Sequence, residues 1–183
     1  MPNNLLKILL ILLLASPCAF CQNKLVQTIE DYYEEVKRNR FNNRYLVDVL
    51  AVNAFKREYL DTILYNRIER YFYNFEDNSK TTLQNIIVVI DKKEYKVHQE
   101  FLYDDQQNLI LYKDGRLDQK YKYRRLYFQD GILKAWKKGS KPIDIQKMTE
   151  AEKEIINYIV KRAAYYKKKV RPEIVRTSFL QEH

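Results

Sequence analysis

The sequence is poor in the residues from which most catalytic and ligand-binding loops are built. Of its 183 residues only three are Gly, four are Pro, two are Cys and two are His. So few glycines exclude the Gly-rich loops that cradle phosphate groups, and no Gly-x-Ser-x-Gly elbow presents a nucleophilic serine. Low Gly and Pro content beside 16 Tyr and 8 Phe also argues against a disordered or low-complexity chain.

Both cysteines lie near the amino terminus, where Cys18 and Cys21 form a C-x-x-C pair. Their surroundings have the layout of a secretory signal peptide: a basic residue, an apolar run over 8–15, and small residues before a cut after Cys21. Pro17 ends that run well short of the roughly 20 apolar residues that a membrane-spanning helix needs. We predict a signal peptide over 1–21, export to the periplasm or the cell exterior, and no transmembrane segment after cleavage. Lipid attachment at Cys18 or Cys21 is the alternative.

Cleavage at this point would leave a chain without cysteine in an oxidising compartment, so its fold must depend on its core and not on disulfides. The remaining length suits one domain with a core of ordinary size. We predict a single domain over 22–170 and a flexible tail over 171–183.

Charge is unevenly distributed along the chain. Residues 22–112 carry 13 Lys and Arg and 15 Asp and Glu, a net charge of −2, whereas 113–183 carry 19 and 9, a net charge of +10. A basic half predicts an anionic partner, which is an anionic glycan, a lipid headgroup or an acidic protein. Export makes nucleic acid the least favoured partner.

Hydrophobic periodicity predicts a helix at each end of the domain. The first covers 25–38, with acidic residues early and basic residues late, as the helix dipole favours. The second runs over 150–169, opens with a T-x-x-E capping box at Thr149 and Glu152, and stops before Pro172. Their predicted apolar stripes are Leu25, Ile29, Tyr32, Tyr33 and Val36, and Ile155, Tyr158, Ile159, Ala163 and Tyr166.

Between the helices the pattern predicts short strands joined by polar turns. The strands cover 45–52, 67–75, 83–91, 94–103, 109–113, 121–128 and 132–138. Residues 76–82 are predicted to form a loop, and 54–66 are either a short helix or a loop leading into a strand. Connections this short require antiparallel pairing. We predict an α+β fold, an antiparallel β-meander of five to seven strands with an N-terminal and a long C-terminal helix packed on one face.

Two segments of this meander are alike. FLYDDQQNLILYK (101–113) and LYFQDGILKAWKK (126–138) each place large residues before an acidic turn, and then an aliphatic and an aromatic residue three apart. The matched pairs are Tyr103 with Phe128, Leu109 with Leu133, and Tyr112 with Trp136. The pattern resembles a loosely defined group of small secreted bacterial domains of unknown function over roughly residues 25–168. That resemblance implies an envelope or extracellular protein and supplies no catalytic residues.

The second of these segments contains the predicted binding residues. Asp130-Gly131 signals a two-residue hairpin turn, which sets Phe128 opposite Leu133 in a core row. The other row is basic and aromatic, and we predict that it binds an anionic or glycan ligand on an open sheet face. Its members are Tyr123, Arg125, Tyr127, Lys134, Trp136 and Lys138. Alternatively, cation–aromatic pairs such as Arg125 with Trp136 stabilise the hairpin without any ligand.

Few residues are suited to catalysis or to metal binding. His98 and Glu100 share one face of a predicted strand, where a solvated surface accounts for both. The adjacent acidic pairs at 34–35 and 104–105 are expected on a helix surface and in a turn, where both carboxylates of a pair are solvated. We predict a non-enzymatic protein without cofactor or metal. The alternatives are a protein-interaction domain, such as an inhibitor or immunity-type factor, and then a hydrolase.

Overall fold

The computed structural model describes residues 3–53, 65–76, 80–92, 95–117 and 123–169. The elements in chain order are α1 (Asn3–Phe41), β1 (Leu46–Asn53), β2 (Tyr65–Glu76), β3 (Lys80–Lys92), β4 (Tyr95–Tyr103), β5 (Leu109–Arg116), β6 (Arg124–Gln129), β7 (Ile132–Lys138), β8 (Lys141–Ile143), the 3-10 helix η1 (Ile145–Lys147) and α2 (Glu150–Lys169). Most of residues 54–66, and the tail over 171–183, lie outside the described residues.

The eight strands form one antiparallel sheet in the order β1 to β8. The predicted α+β fold and antiparallel meander are therefore confirmed, with one strand more than the predicted upper limit of seven. The additional strand is β8, whose three residues are too short to show a periodicity of their own. The prediction of a loop over 76–82 was wrong at both ends. Glu76 is the last residue of β2 and Lys80 is the first of β3, and the two residues pair with each other.

Helix α1 contains the predicted helix over 25–38 and extends it in both directions. The predicted end of the signal peptide at residue 21 therefore lies inside one continuous helix. Ile29, Tyr33 and Val36 are buried as predicted, and the unpredicted Val26 joins them. Within the described part of the chain, neither helix has a stretch both long and apolar enough to cross a bilayer.

The two helices pack on opposite faces of the sheet, not on one face as predicted. Leu102 of β4 packs in the cluster beneath α1, whereas its neighbours Phe101 and Tyr103 pack in the cluster with α2. Successive side chains of a strand point to opposite faces, so the sheet is the middle layer of three. Three large residues in succession at 101–103 and again at 126–128 are typical of strands buried on both sides.

The similarity of the two hairpin segments is confirmed in three dimensions and extends to a third hairpin. In each, an aromatic residue in the turn-proximal part of the outgoing strand pairs with a Leu, and the next residue of the returning strand is skipped as a β-bulge. The pairs are Tyr73 with Leu83, Tyr103 with Leu109, and Phe128 with Leu133, and the skipped residues are Gln84, Ile110 and Lys134.

The bulges lie where α1 crosses the sheet. The Gln84 side chain accepts a hydrogen bond from the Tyr32 hydroxyl, Ile110 packs against the cluster beneath α1, and the Lys134 carbonyl accepts one from Gln22 Nε2 at 2.5 Å. A bulge bends its strand and re-aims the side chains beyond it. The three bulges thus provide contacts that hold α1 against the sheet.

Helix α2 begins with the predicted capping box. Thr149 N donates to Glu152 Oε2 at 2.8 Å, and Glu152 N donates to Thr149 Oγ1 at 3.2 Å. The buried residues are Ile156, Ile159, Ala163 and Tyr166. The predicted stripe was wrong at Ile155 and Tyr158, which are exposed, because adjacent isoleucines at 155 and 156 leave the position of the stripe ambiguous by one residue.

Candidate functional site

The bulge at Lys134 divides the six predicted binding residues between the two faces of the sheet. Beyond it the register is Tyr127 with Ala135, Leu126 with Trp136, and Arg125 with Lys137. The predicted pairing of Arg125 with Trp136 was therefore wrong, because the extra residue shifts every later pair by one. Trp136 lies on the α2 side, in the core and only 9% exposed.

Tyr123, Arg125 and Tyr127 lie on the α1 side, and two of them are bonded to that helix. Glu30 of α1 accepts a hydrogen bond from Arg125 Nη1 at 3.0 Å and another from the Tyr127 hydroxyl. The Tyr123 ring lies over Gly115, where a Cβ atom would come within 2.7 Å of it. The predicted open row is thus in large part a contact surface for α1.

A buried polar cluster joins α1 to the middle of the sheet. Glu100 is almost fully buried, which corrects the predicted solvated strand face. It accepts a hydrogen bond from Arg40 Nη1 at 2.5 Å and one from the Tyr33 hydroxyl at 2.9 Å. Lys113 Nζ donates to that hydroxyl at 3.1 Å, and burial lowers the pKa of Lys113. Burial, followed by the charge of Glu100, raises the pKa of Tyr33. Both carboxylate oxygens of Glu100 are engaged, so the cluster anchors α1.

His98 lies beside this cluster without a hydrogen bond at Nδ1 from any described residue. Its ring meets that of Tyr123 edge-on, with the centroids 6.3 Å apart. Burial lowers the pKa of His98; the charges of Lys113 and Arg40 lower it further, and that of Glu100 opposes them. Within the described ranges, no three His, Cys, Asp or Glu side chains are grouped so as to hold a metal ion.

We expect His98 to reduce stability as the pH falls below about 6.5, the ordinary pKa of histidine. Its pKa is lower in the folded chain, so the unfolded chain binds the proton first and the free energy of unfolding decreases towards the folded-state pKa. The free energy of unfolding is measured in urea for the wild type and for His98→Asn. As the pH is lowered from 7.5 to 5.5, the wild type should lose more of it than the variant does. A constant difference over this range would contradict the expectation.

The opposite face has a matching buried carboxylate beneath the end of α2. Lys169 Nζ lies 3.0 Å and the Tyr71 hydroxyl 2.5 Å from Glu69 Oε2. Arg67 Nε lies 2.8 Å from Glu69 Oε1. Each helix therefore carries, in its last turn, a basic residue paired with a buried strand glutamate. The preceding Lys167 and Lys168 are exposed, whereas Lys169 is held against the sheet by Glu69.

Three basic residues form a line across the α2 side of the sheet, on β6, β7 and β8. Arg124 pairs with Lys138, and Lys138 pairs with Lys141, so their side chains lie side by side on one face. We call Arg124, Lys138 and Lys141 the basic row. Both lysines are exposed, and neither has an ion-pair partner among the residues described. Like charges directly opposite each other repel, so the row presents uncompensated positive charge.

Arg124, by contrast, has a partner. Its Nε lies 2.9 Å from Asp114 Oδ1, and its Nη2 lies 2.5 Å from Oδ2. The Tyr112 hydroxyl donates to Asp114 at 3.0 Å and accepts from Gln99 Nε2 at 3.0 Å, which fixes the carboxylate. Burial alone would lower the pKa of Arg124, but the hydrogen bonds and charge of Asp114 raise it. The free charge of the row therefore belongs to Lys138 and Lys141.

The acidic pairs considered from the sequence have structural partners. Asp104 Oδ1 accepts a hydrogen bond from Asn108 N at 2.7 Å and so holds the β4–β5 turn. Glu34 pairs with Lys37 at 2.9 Å on the surface of α1. Neither contact directs a carboxylate toward a second acidic group, as general acid–base chemistry by a pair would need.

Lys138 is the one predicted binding residue in the basic row, and sequence reasoning missed Lys141. The available signal was Gly139-Ser140, a turn dipeptide that could have placed the two lysines opposite each other in a hairpin. No family model, curated protein or solved structure matches this chain. The basic row is therefore interpreted from its own charges and contacts.

Proposed function

We propose that the protein is an exported, non-enzymatic binding protein that holds an anionic ligand on the basic row. The observation that carries this proposal is the direct opposition of Lys138 and Lys141 without a described acidic partner. A carboxylate, sulfate or phosphate group between two ammonium groups would replace their repulsion by attraction. The repulsion in the free protein is then the cost of a preformed anion site.

The spacing of the row favours a ligand with repeated charges. Neighbouring strands lie roughly 4.8 Å apart, so the two lysines whose charge is free, on β7 and β8, are one strand spacing apart, and the paired Arg124 lies one strand further on. Two ammonium groups at this spacing can contact neighbouring charged groups of an anionic glycan. Lipid headgroups and acidic proteins present similar charges and remain alternatives that binding measurements can separate.

The amino-terminal sequence supports export. The basic residue, short apolar run and small residues over 1–21 fit a secretory leader, and both cysteines precede the expected cut. An anionic glycan outside the cytoplasm is a partner that such a protein would meet. Lipid attachment at Cys18 or Cys21 would keep the same binding surface close to a membrane.

Heparin, a sulfated glycan, is the direct probe of the basic row. We expect Lys138→Gln with Lys141→Gln to weaken heparin binding about thirtyfold at low salt, since each lysine near an anionic surface contributes about 1 kcal/mol. The double variant should elute from immobilised heparin at a clearly lower salt concentration than the wild type.

The matched control is Lys161→Gln with Lys168→Gln, which removes the same charge from exposed positions of α2. Retention that depends only on net charge would fall equally in both double variants, and that result would refute a localised site. Vesicles with and without anionic lipid then separate a glycan from a headgroup.

A second candidate, a protein-interaction domain, is favoured by the edge strand β1. Val47 and Val49 are about half exposed, and β2 is the only neighbour of β1 in the described sheet. Such an edge can accept a strand from a partner protein. The opposite edge is less suited to pairing, because β8 has three residues and one of them is Pro142. Unchanged heparin retention in the Lys138 and Lys141 variant would favour this candidate.

A further inference from the structure

A cleft of about 650 Å³ opens at the β7–β8 edge of the sheet, beside the part of α1 near Leu25. Its volume lies within the range of small-molecule sites in proteins. Leu25 contributes from α1, Ile143 from β8 and Ile145 from η1, so three separate elements supply apolar walls. Because Leu25 and Ile143 are only partly buried at the margins of the two core clusters, the cleft continues the apolar interior to the surface.

The charges in this cleft are unbalanced. Asp144 has partners of its own, since its carboxylate accepts a hydrogen bond from Gln146 N at 3.0 Å and lies 3.6 Å from Lys147 Nζ. Lys134 also lines the cleft, and none of the described acidic side chains forms an ion pair with it. Its backbone is fixed by the bulge and by the hydrogen bond from Gln22. The cleft thus combines apolar walls with one uncompensated positive charge.

We propose that this cleft binds a small amphipathic anion, with an aliphatic body against Leu25, Ile143 and Ile145 and an acidic group at Lys134. A medium-chain carboxylate has this chemistry. A polyanionic glycan would leave the apolar walls unused, and a neutral hydrocarbon would leave Lys134 without a partner. The site shares no residue with the basic row, so it goes beyond the proposed function.

Sodium octanoate is the probe, added to the ¹⁵N-labelled full chain below its micelle-forming concentration. We expect saturable amide shifts concentrated at Leu25, Ile143 and Ile145. Lys134→Gln should weaken octanoate binding about threefold to fivefold, as expected for loss of one partly exposed ion pair. Lys134→Arg should keep the affinity, and Ile145→Ser should weaken octanoate and 1-octanol alike by about fivefold.

Lys161→Gln is the control, because it removes the same charge from an exposed position of α2 that lies outside both the cleft and the basic row. It should leave octanoate binding unchanged. The proposal is overturned by shifts that do not saturate, by equal losses in Lys134→Gln and Lys161→Gln, or by 1-octanol binding as tightly as octanoate. Heparin retention tests the basic row separately. A result that overturns the cleft proposal therefore leaves the proposed function unaffected, and the converse also holds.

Discussion

Arg40→Met is expected to lower the free energy of unfolding by about 3–5 kcal/mol, the usual cost of removing one partner of a buried ion pair. The side chains of Arg40 and Glu100 are only 14% and 3% exposed, so water cannot replace the lost guanidinium. Arg40 also donates to Asn85 Oδ1 at 2.6 Å, and that amide oxygen would lose a partner in the variant. Tyr33 would remain bonded to Glu100 but carries no positive charge.

Urea unfolding of Arg40→Met beside Lys37→Met measures this cost. Lys37 and Glu34 form an ion pair on the same helix with both side chains more than half exposed, and removing such a pair costs less than about 1 kcal/mol. Arg40→Met with Glu100→Met should recover part of the loss, since apolar residues often replace a buried ion pair without penalty. Equal effects of Arg40→Met and Lys37→Met would show that Glu100 does not need its partner.

The position of Glu100 illustrates what alternation along a strand can and cannot predict. The pattern over 94–103 correctly separated Phe101 and Tyr103 from His98 and Glu100. It did not show what covers each face, because polar and apolar residues alternate in the same way whether water or a polar helix surface covers the polar face. The partner groups come from α1, 60 or more residues away in sequence, and no local signal connects them to β4.

The hairpin at 126–138 shows that a turn can be predicted correctly while the face on which the following side chains lie is predicted wrongly. Asp130 and Gly131 have φ values of 52° and 73°, as the predicted two-residue turn of type I′ requires. Phe128 pairs with Leu133 as predicted. The bulge at Lys134 has no Gly or Pro to mark it, and a slip of one residue moves every later side chain to the other face. The repeated bulges at Gln84, Ile110 and Lys134 became recognisable only from the register of the strands.

Trp136→Ala is the variant that separates a core residue from an open binding residue. We expect it to lower the free energy of unfolding by about 3–5 kcal/mol, the range for deleting a large aromatic side chain from a core. Trp136 packs with Leu126 and Phe128 on the α2 side, so the deletion leaves a cavity there. Ile132→Ala in the same hairpin is the control: that side chain is 59% exposed, and its loss should change stability by less than about 0.5 kcal/mol.

Heparin binding by Trp136→Phe completes the comparison. Phe retains most of the apolar contact, and the buried Trp136 indole N–H has no hydrogen-bond partner among the described residues, so the substitution removes no described hydrogen bond. Retention should therefore equal that of the wild type, whereas Lys138→Gln with Lys141→Gln lowers it. If Trp136→Ala cost less than 1 kcal/mol while Trp136→Phe reduced heparin retention, Trp136 would be a binding residue. The register across β6 and β7 would then have to be the one that the sequence predicted.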